Sequence, residues 1–82
     1  MEINKLVKIY WKDAASSEAW EDLNEVRDWA SKTYVTPCET VGELILDTDD
    51  YVVVAASNNG EKTLYGDKVL IPKTLIDKTE EL

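Results

Sequence analysis

The run Tyr51-Val-Val-Val-Ala-Ala56 constrains this chain more than any other stretch. Three successive β-branched valines behind an aromatic ring lose rotamer freedom in a helix but fit a pleated strand. Turn-forming residues bracket the run, with Asp47-Thr48-Asp49-Asp50 before it and Asn58-Asn59-Gly60 after it. The second group tolerates positive φ, so the chain reverses there as a hairpin and the strand belongs to an antiparallel sheet. Upstream, residues 3–12 alternate. Ile3, Val7, Ile9 and Trp11 share one parity, opposite Lys8 and Lys12, while Leu6 and Tyr10 make the outer face less polar than a pure alternation would. That is a first half-buried strand. A further strand is expected over residues 40–46, opened by Val41-Gly42. Shorter ones are expected over 62–65, 68–71 and 75–78, interrupted by Gly66 and by Pro72-Lys73-Thr74.

One segment has helical periodicity. The cluster Asp13-Ala-Ala-Ser-Ser17 precedes it, and Ser16 or Ser17 is a natural N-cap whose oxygen accepts from first-turn amides. A helix is expected over residues 18–32, with Ala19, Leu23, Val26 and Ala30 in one narrow stripe laid on a core. Trp20 and Trp29 flank that stripe. The helix has ended by Val35-Thr36, which Pro37 biases to extended geometry. The element order predicts a small α+β domain, one unit over residues 1–82, with a curled antiparallel sheet and its helix between the first and second strands. The tail Val69-Leu-Ile-Pro-Lys-Thr-Leu-Ile-Asp77 has the look of an SH3- or Sm-like barrel, where a strand steps through a 3₁₀ turn into the last strand.

Composition mostly excludes. A chain of 82 residues buries roughly 63% of its unfolded surface, enough for one small core. It has no histidine, which removes Ser-His-Asp and Cys-His catalysis and imidazole zinc sites. The single cysteine, Cys38, allows no internal disulfide and suits a reducing compartment. Asp47, Asp49 and Asp50 lack the glycine and distal glutamate of a calcium loop and read as a polar turn. The expectation is a non-enzymatic protein with no cofactor and no metal. With 17 acidic against 9 basic residues the net charge is −8, which repels bulk nucleic acid and anionic membranes. No apolar run nears a membrane span, and the start Met-Glu-Ile-Asn-Lys lacks a signal-peptide layout, so a cytoplasmic protein is expected.

Two surfaces stand out as candidate sites. At the strand-to-helix junction, Trp11, Asp13, Ser16, Ser17 and Trp20 combine two indoles, a carboxylate, hydroxyls and helix amides, the parts of a site for a flat polar ligand. Lys8, Lys12 and Lys73 would offset an anionic ligand's charge there. The same residues also serve as helix caps, as indole anchors between helix and sheet, and as solvated lysines. The second surface is the acidic helix face of Glu18, Glu21, Asp22, Glu25 and Asp28. It reads as a solvated face or as an imitation of a line of phosphates.

The motifs Trp11-Lys-Asp13-Ala-x-Ser-x-x-x-Trp20, Thr40-Val-Gly-x-Leu44, Thr48-Asp-x-Tyr51-Val-Val-Val-Ala-Ala-Ser57, Tyr65-Gly66 and Ile71-Pro72-Lys73 span nearly the whole chain. Together they resemble a group of small tailed-bacteriophage proteins, with Thr40 where that group favours serine. The resemblance implies phage origin and an accessory, counter-defence role in the infected bacterial host. Its leading form is sequestration of a nucleotide-like immune signal at the Trp11–Trp20 junction. The alternative is an acidic inhibitor that binds a host defence protein through the helix face. A homo-oligomer is expected in either case, because a small core and a long apolar strand invite edge pairing.

Overall fold

A computed structural model describes residues 1–14, 16–32 and 36–82. In chain order it holds β1 (Leu6–Asp13), α1 (Leu23–Lys32), β2 (Thr36–Asp47), β3 (Tyr51–Asn58), β4 (Tyr65–Pro72), a 3₁₀ turn (Lys73–Leu75) and β5 (Ile76–Glu81). The strands form one antiparallel sheet in the order β4-β3-β2-β1-β5. This is the small α+β domain expected, with its helix between β1 and β2 and a 3₁₀ step after Ile71-Pro72. The sheet does not close into a barrel, and β4 and β5 remain its two edges.

The sheet curls enough to be its own second layer. Val7 and Ile9 from β1, Leu44 from β2, Val52 and Val54 from β3 and Ile71 from β4 are buried together, and Trp11, Val69 and Ile76 pack against them. One cluster thus joins residues from both ends of the strand order. Irregular registers between Tyr10 and Trp11 against β5, and between Leu44 and Leu46 against β3, mark where the strands bend. Gly42 permits a close approach of β2 to β3. A Cβ there would lie 2.5 Å from the Ala55 carbonyl oxygen and 2.6 Å from Val54 Cγ1.

Local chemistry sets the turns. Thr48 Oγ1 accepts from the amides of Asp50 and Tyr51 and donates to the Tyr51 carbonyl, closing the β2–β3 connection. In the β3–β4 hairpin, Asn58 Oδ1 accepts from the Gly60 amide, and Asn59 Oδ1 accepts from the amides of Thr63 and Leu64. Gly60 takes φ +83° and Lys62 φ +60°, so the strand expected over 62–65 is loop until Tyr65. The first strand likewise starts later than its alternation suggests. Asn4 adopts φ +66°, a region asparagine visits readily, and the chain turns there. The fragments expected over 68–71 and 75–78 are β4 and β5, each longer than its sequence pattern.

The helix departs most from expectation. It begins at Leu23, not at residue 18, and its cap is Asp22 rather than Ser16 or Ser17. Asp22 Oδ1 accepts from the Glu25 amide at 2.9 Å, and the Asp22 amide donates back to Glu25 Oε1 at 3.5 Å, a reciprocal capping box. That amide hydrogen bond holds the Asp22 carboxyl below its ordinary pKa. The end at Lys32 is as expected. Val35 lies outside the described residues, as does Ala15, and Thr36 opens β2.

No residue of α1 is buried, so the stripe of Ala19, Leu23, Val26 and Ala30 does not lie on the core. The curled sheet has already filled its interior with its own side chains, which leaves no inner face for a helix to cover. Past Trp11 the β1–β2 pair runs on without β5, and α1 is carried between those two strands as an arm. The molecule measures 54 × 22 × 20 Å with a radius of gyration of 16.6 Å, against about 12 Å for a compact chain of this length. Its accessible surface of 6137 Å² exceeds the roughly 5,000 Å² typical of this mass.

Candidate functional site

The residues expected at the junction do not converge. Trp11 lies on the inner face of β1, half-buried, and its Nε1 donates to Thr40 Oγ1 at 3.0 Å. Asp13 ends β1, and its Oδ1 accepts from the Ala14 amide, well short of the helix. Ser16 is exposed, and Ser17 Oγ accepts from the Ala19 amide. Trp20 precedes the helix and is fully exposed, at 101% of its reference surface. Core packing therefore claims one indole, and the other stands in solvent on the arm. The helix amides that were to complete the site belong to Asp22's cap.

The three lysines each meet a carboxylate. Lys8 Nζ lies 3.3 Å from Glu39 and 5.0 Å from the centroid of the Tyr10 ring. Contact with Tyr10 first, then Glu39, raises its pKa. Lys12 Nζ is 3.5 Å from Asp77, and Lys73 Nζ is 2.6 Å from Asp47. Beside Trp11, a shallow groove of about 470 Å³ is lined by Tyr10, Pro37, Cys38, Glu39 and Asp77. Lys73 borders a different groove with Met1, Val52 and Ile76. The positive pocket expected from Lys8, Lys12 and Lys73 is thus dispersed into separate ion pairs, with carboxylates on the rim nearest Trp11.

The arm is a surface that the fold leaves uncovered. Leu23 is 64% and Val26 46% exposed, and Trp20, three residues before the helix, is free in solvent. Residues 17–21 return along the helix, where Ser17, Ala19 and Glu21 enclose a hollow of about 110 Å³ with Val26 and Trp29. Around the other side of Trp29, a groove of about 350 Å³ is lined by Glu21, Glu25, Asp28 and Lys32. Lys32 Nζ pairs with Asp28 Oδ2 at 3.0 Å, one helical turn away. Apolar and acidic surfaces thus meet along Trp29. The helical period in the sequence signals this stripe, but only the structure shows that it faces water.

A buried carboxylate escaped the sequence reading. Glu43 lies in the middle of β2, with Oε1 3.0 Å from Lys62 Nζ in the β3–β4 hairpin. The ammonium holds its carboxyl below the ordinary 4.5, with burial opposing. Glu43 in turn raises the pKa of Lys62. Burial first, then Glu43, raises that of the Tyr65 hydroxyl. A lowered carboxyl pKa contributes stability that is present above its unfolded value and is lost as pH falls through the folded one. The raised Lys62 and Tyr65 values contribute stability that is present below their unfolded pKa and is lost as pH rises through the folded one. The urea midpoint should therefore be flat from roughly pH 5 to 9 and fall on both sides. Glu43→Gln should flatten the acid limb below the ordinary carboxylate range, and an unchanged limb would refute this assignment.

Among the described residues there is no cluster of acidic or cysteine side chains arranged to hold a metal ion, and no helix long and apolar enough to cross a membrane. No protein-family description matches the chain, and neither a curated protein nor a solved structure matches it.

Proposed function

We propose that this chain is a non-enzymatic protein-binding module, an acidic inhibitor of a host defence protein, working in the bacterial cytoplasm in the counter-defence role that its resemblance to phage proteins implies. The observation that carries this reading is the α1 arm, which leaves Trp20, Leu23 and Val26 exposed and lines a groove along Trp29 with Glu21, Glu25 and Asp28. An amphipathic helix held away from its own core is suited to helix-in-groove recognition, in which apolar anchors at helical spacing enter a partner's groove. The carboxylates select the occupant. They complement an apolar groove rimmed by lysine or arginine on another protein, and they would repel a second copy of the same arm. Sequestration of a nucleotide-like signal draws less support, because Lys8, Lys12 and Lys73 are each engaged by a carboxylate.

The test compares wild type with Glu21→Lys/Glu25→Lys. Both positions are exposed. Glu25→Lys gives up the long 3.5 Å bond from the Asp22 amide but keeps the 2.9 Å bond from the amide of residue 25 to Asp22, and a circular dichroism spectrum checks that the helix is retained. Each immobilised protein is exposed to bacterial lysate, and the retained protein is purified and titrated directly. The expected result is a partner whose affinity falls at least about tenfold in the variant and whose salt dependence shrinks with it. The reading fails if arm reversal leaves that affinity unchanged. It also fails if cyclic dinucleotides or ADP-ribose derivatives raise the melting temperature while no arm-dependent protein is retained.

A further inference from the structure

We infer that β4 pairs with β4 of a second copy, joining two sheets into one across a two-fold axis at Leu70. The inference is independent of what the arm binds. Leu46 lies opposite Val53, and Val53 opposite Leu70, so three apolar side chains form one cross-strand row on the outer face of the sheet. Leu46 is 43% and Leu70 54% exposed, and Val53 is half-buried. The row ends at the β4 edge, where the backbone has no further strand to bond among the described residues.

The two edges of the sheet differ in chemistry. β5 carries Asp77, Lys78, Glu80 and Glu81 within six residues, the charged dressing that discourages edge pairing. β4 keeps its charges, Asp67 and Lys68, to one end and its proline, Pro72, to the other, so its centre is the uncharged run Val69, Leu70 and Ile71. Directly opposed residues of an antiparallel pair share a face, so a two-fold pairing must place one residue opposite its own copy. With Leu70 in that place, the row continues unbroken through Leu70, Val53 and Leu46 of the second copy. Val69 then faces Ile71, and the ladder closes with Lys68 opposite Pro72 of the second copy, because Lys73 already belongs to the 3₁₀ turn. Centring on Val69 instead would set Lys68 against Leu70 and Asp67 against Ile71, charge against apolar surface. A dimer of this form carries two α1 arms on one body, and two linked binding elements gain avidity without any new contact.

Sedimentation equilibrium from about 5 to 500 µM should show a species of twice the chain mass, and Leu70→Lys should be monomeric with an unchanged circular dichroism spectrum. A direct geometric test uses single cysteines in a Cys38→Ser background. Opposed α-carbons of an antiparallel pair lie about 4.5–5.5 Å apart, within disulfide reach. Leu70→Cys should therefore give a disulfide-linked dimer on mild oxidation. Lys68→Cys should not, since its own copy lies four residues along the strand, about 13 Å away. Three results would overturn the pairing: a wild type that stays monomeric throughout, oligomers larger than a dimer, or cross-linking as efficient at position 68 as at position 70.

Discussion

Gly42→Ala is expected to lower the melting temperature by about 10 °C. Gly42 is buried in β2 opposite Val7, in the strand that bends over the core. The added Cβ would sit 2.5 Å from the Ala55 carbonyl oxygen and 2.9 Å from its carbon. Both are backbone atoms of β3, tied into the sheet by the Glu43–Ala55 and Leu44–Val54 pairings. They cannot retreat without loosening that ladder. Val54 Cγ1, at 2.6 Å, belongs to a core side chain that is almost completely enclosed. Overpacking of this kind costs about 1–3 kcal/mol, and each kilocalorie is worth about 4–8 °C in a domain of this size. Gly66 is the control, because nothing lies within 4 Å of a Cβ built there. Thermal melts that show Gly42→Ala and Gly66→Ala equally stable would refute the close approach.

Trp20→Ala is expected to leave the melting temperature nearly unchanged and to weaken partner binding by about 2 kcal/mol or more, roughly thirtyfold. A tryptophan in the core would cost about 3–5 kcal/mol of stability on truncation. Trp20 is fully solvated, so its removal leaves no cavity and should stay within about 0.5 kcal/mol of wild type. Large aromatic side chains dominate interface energetics because they bury the most surface for few rotatable bonds. A melting curve and a titration against the captured partner, run on the same variant, separate the two effects. A variant that melts far below wild type would put Trp20 back in the core. One that binds normally would remove the arm from the interface.

Much of the fold was legible because the sheet obeys local rules. Tyr51-Val-Val-Val and the turns on either side of it specify β3 by propensity alone, and the Ile71-Pro72 step announces the 3₁₀ turn because proline brings no amide donor and favours a strand's end. The helix was legible as an element and misplaced in its role. Leu23, Val26 and Ala30 repeat at helical spacing whether they cover this chain's sheet or another protein's groove, and periodicity does not record which. Its start was misread because Ser16, Ser17 and Asp22 are all competent caps. Asp22 prevails by gaining a reciprocal bond from Glu25 three residues on, which neither serine has in the structure.

The candidate junction failed to assemble for a related reason. Trp11 and Trp20 are close in sequence, but the parity of β1 commits Trp11 to the inner face against Thr40, while Trp20 travels out on the arm. The lysines looked free because sequence shows charge without its neighbours. Glu39, Asp77 and Asp47 come from β2 and β5, and only strand register brings them to Lys8, Lys12 and Lys73.

By itself the sequence determined the element types, the antiparallel hairpins, and the exclusion of histidine chemistry and internal disulfides. Each of these follows from the conformational preferences or the functional groups of residues near one another in the chain. The tertiary structure alone decided that the sheet seals its own core, that β3 leaves no room for a side chain at Gly42, that Glu43 is buried against Lys62, and that the helix is left outside. Those outcomes depend on whether the curled sheet leaves room for another layer. Its inner volume is set by the summed packing of Val7, Ile9, Leu44, Val52, Val54 and Ile71 from four strands, a quantity that no local pattern encodes.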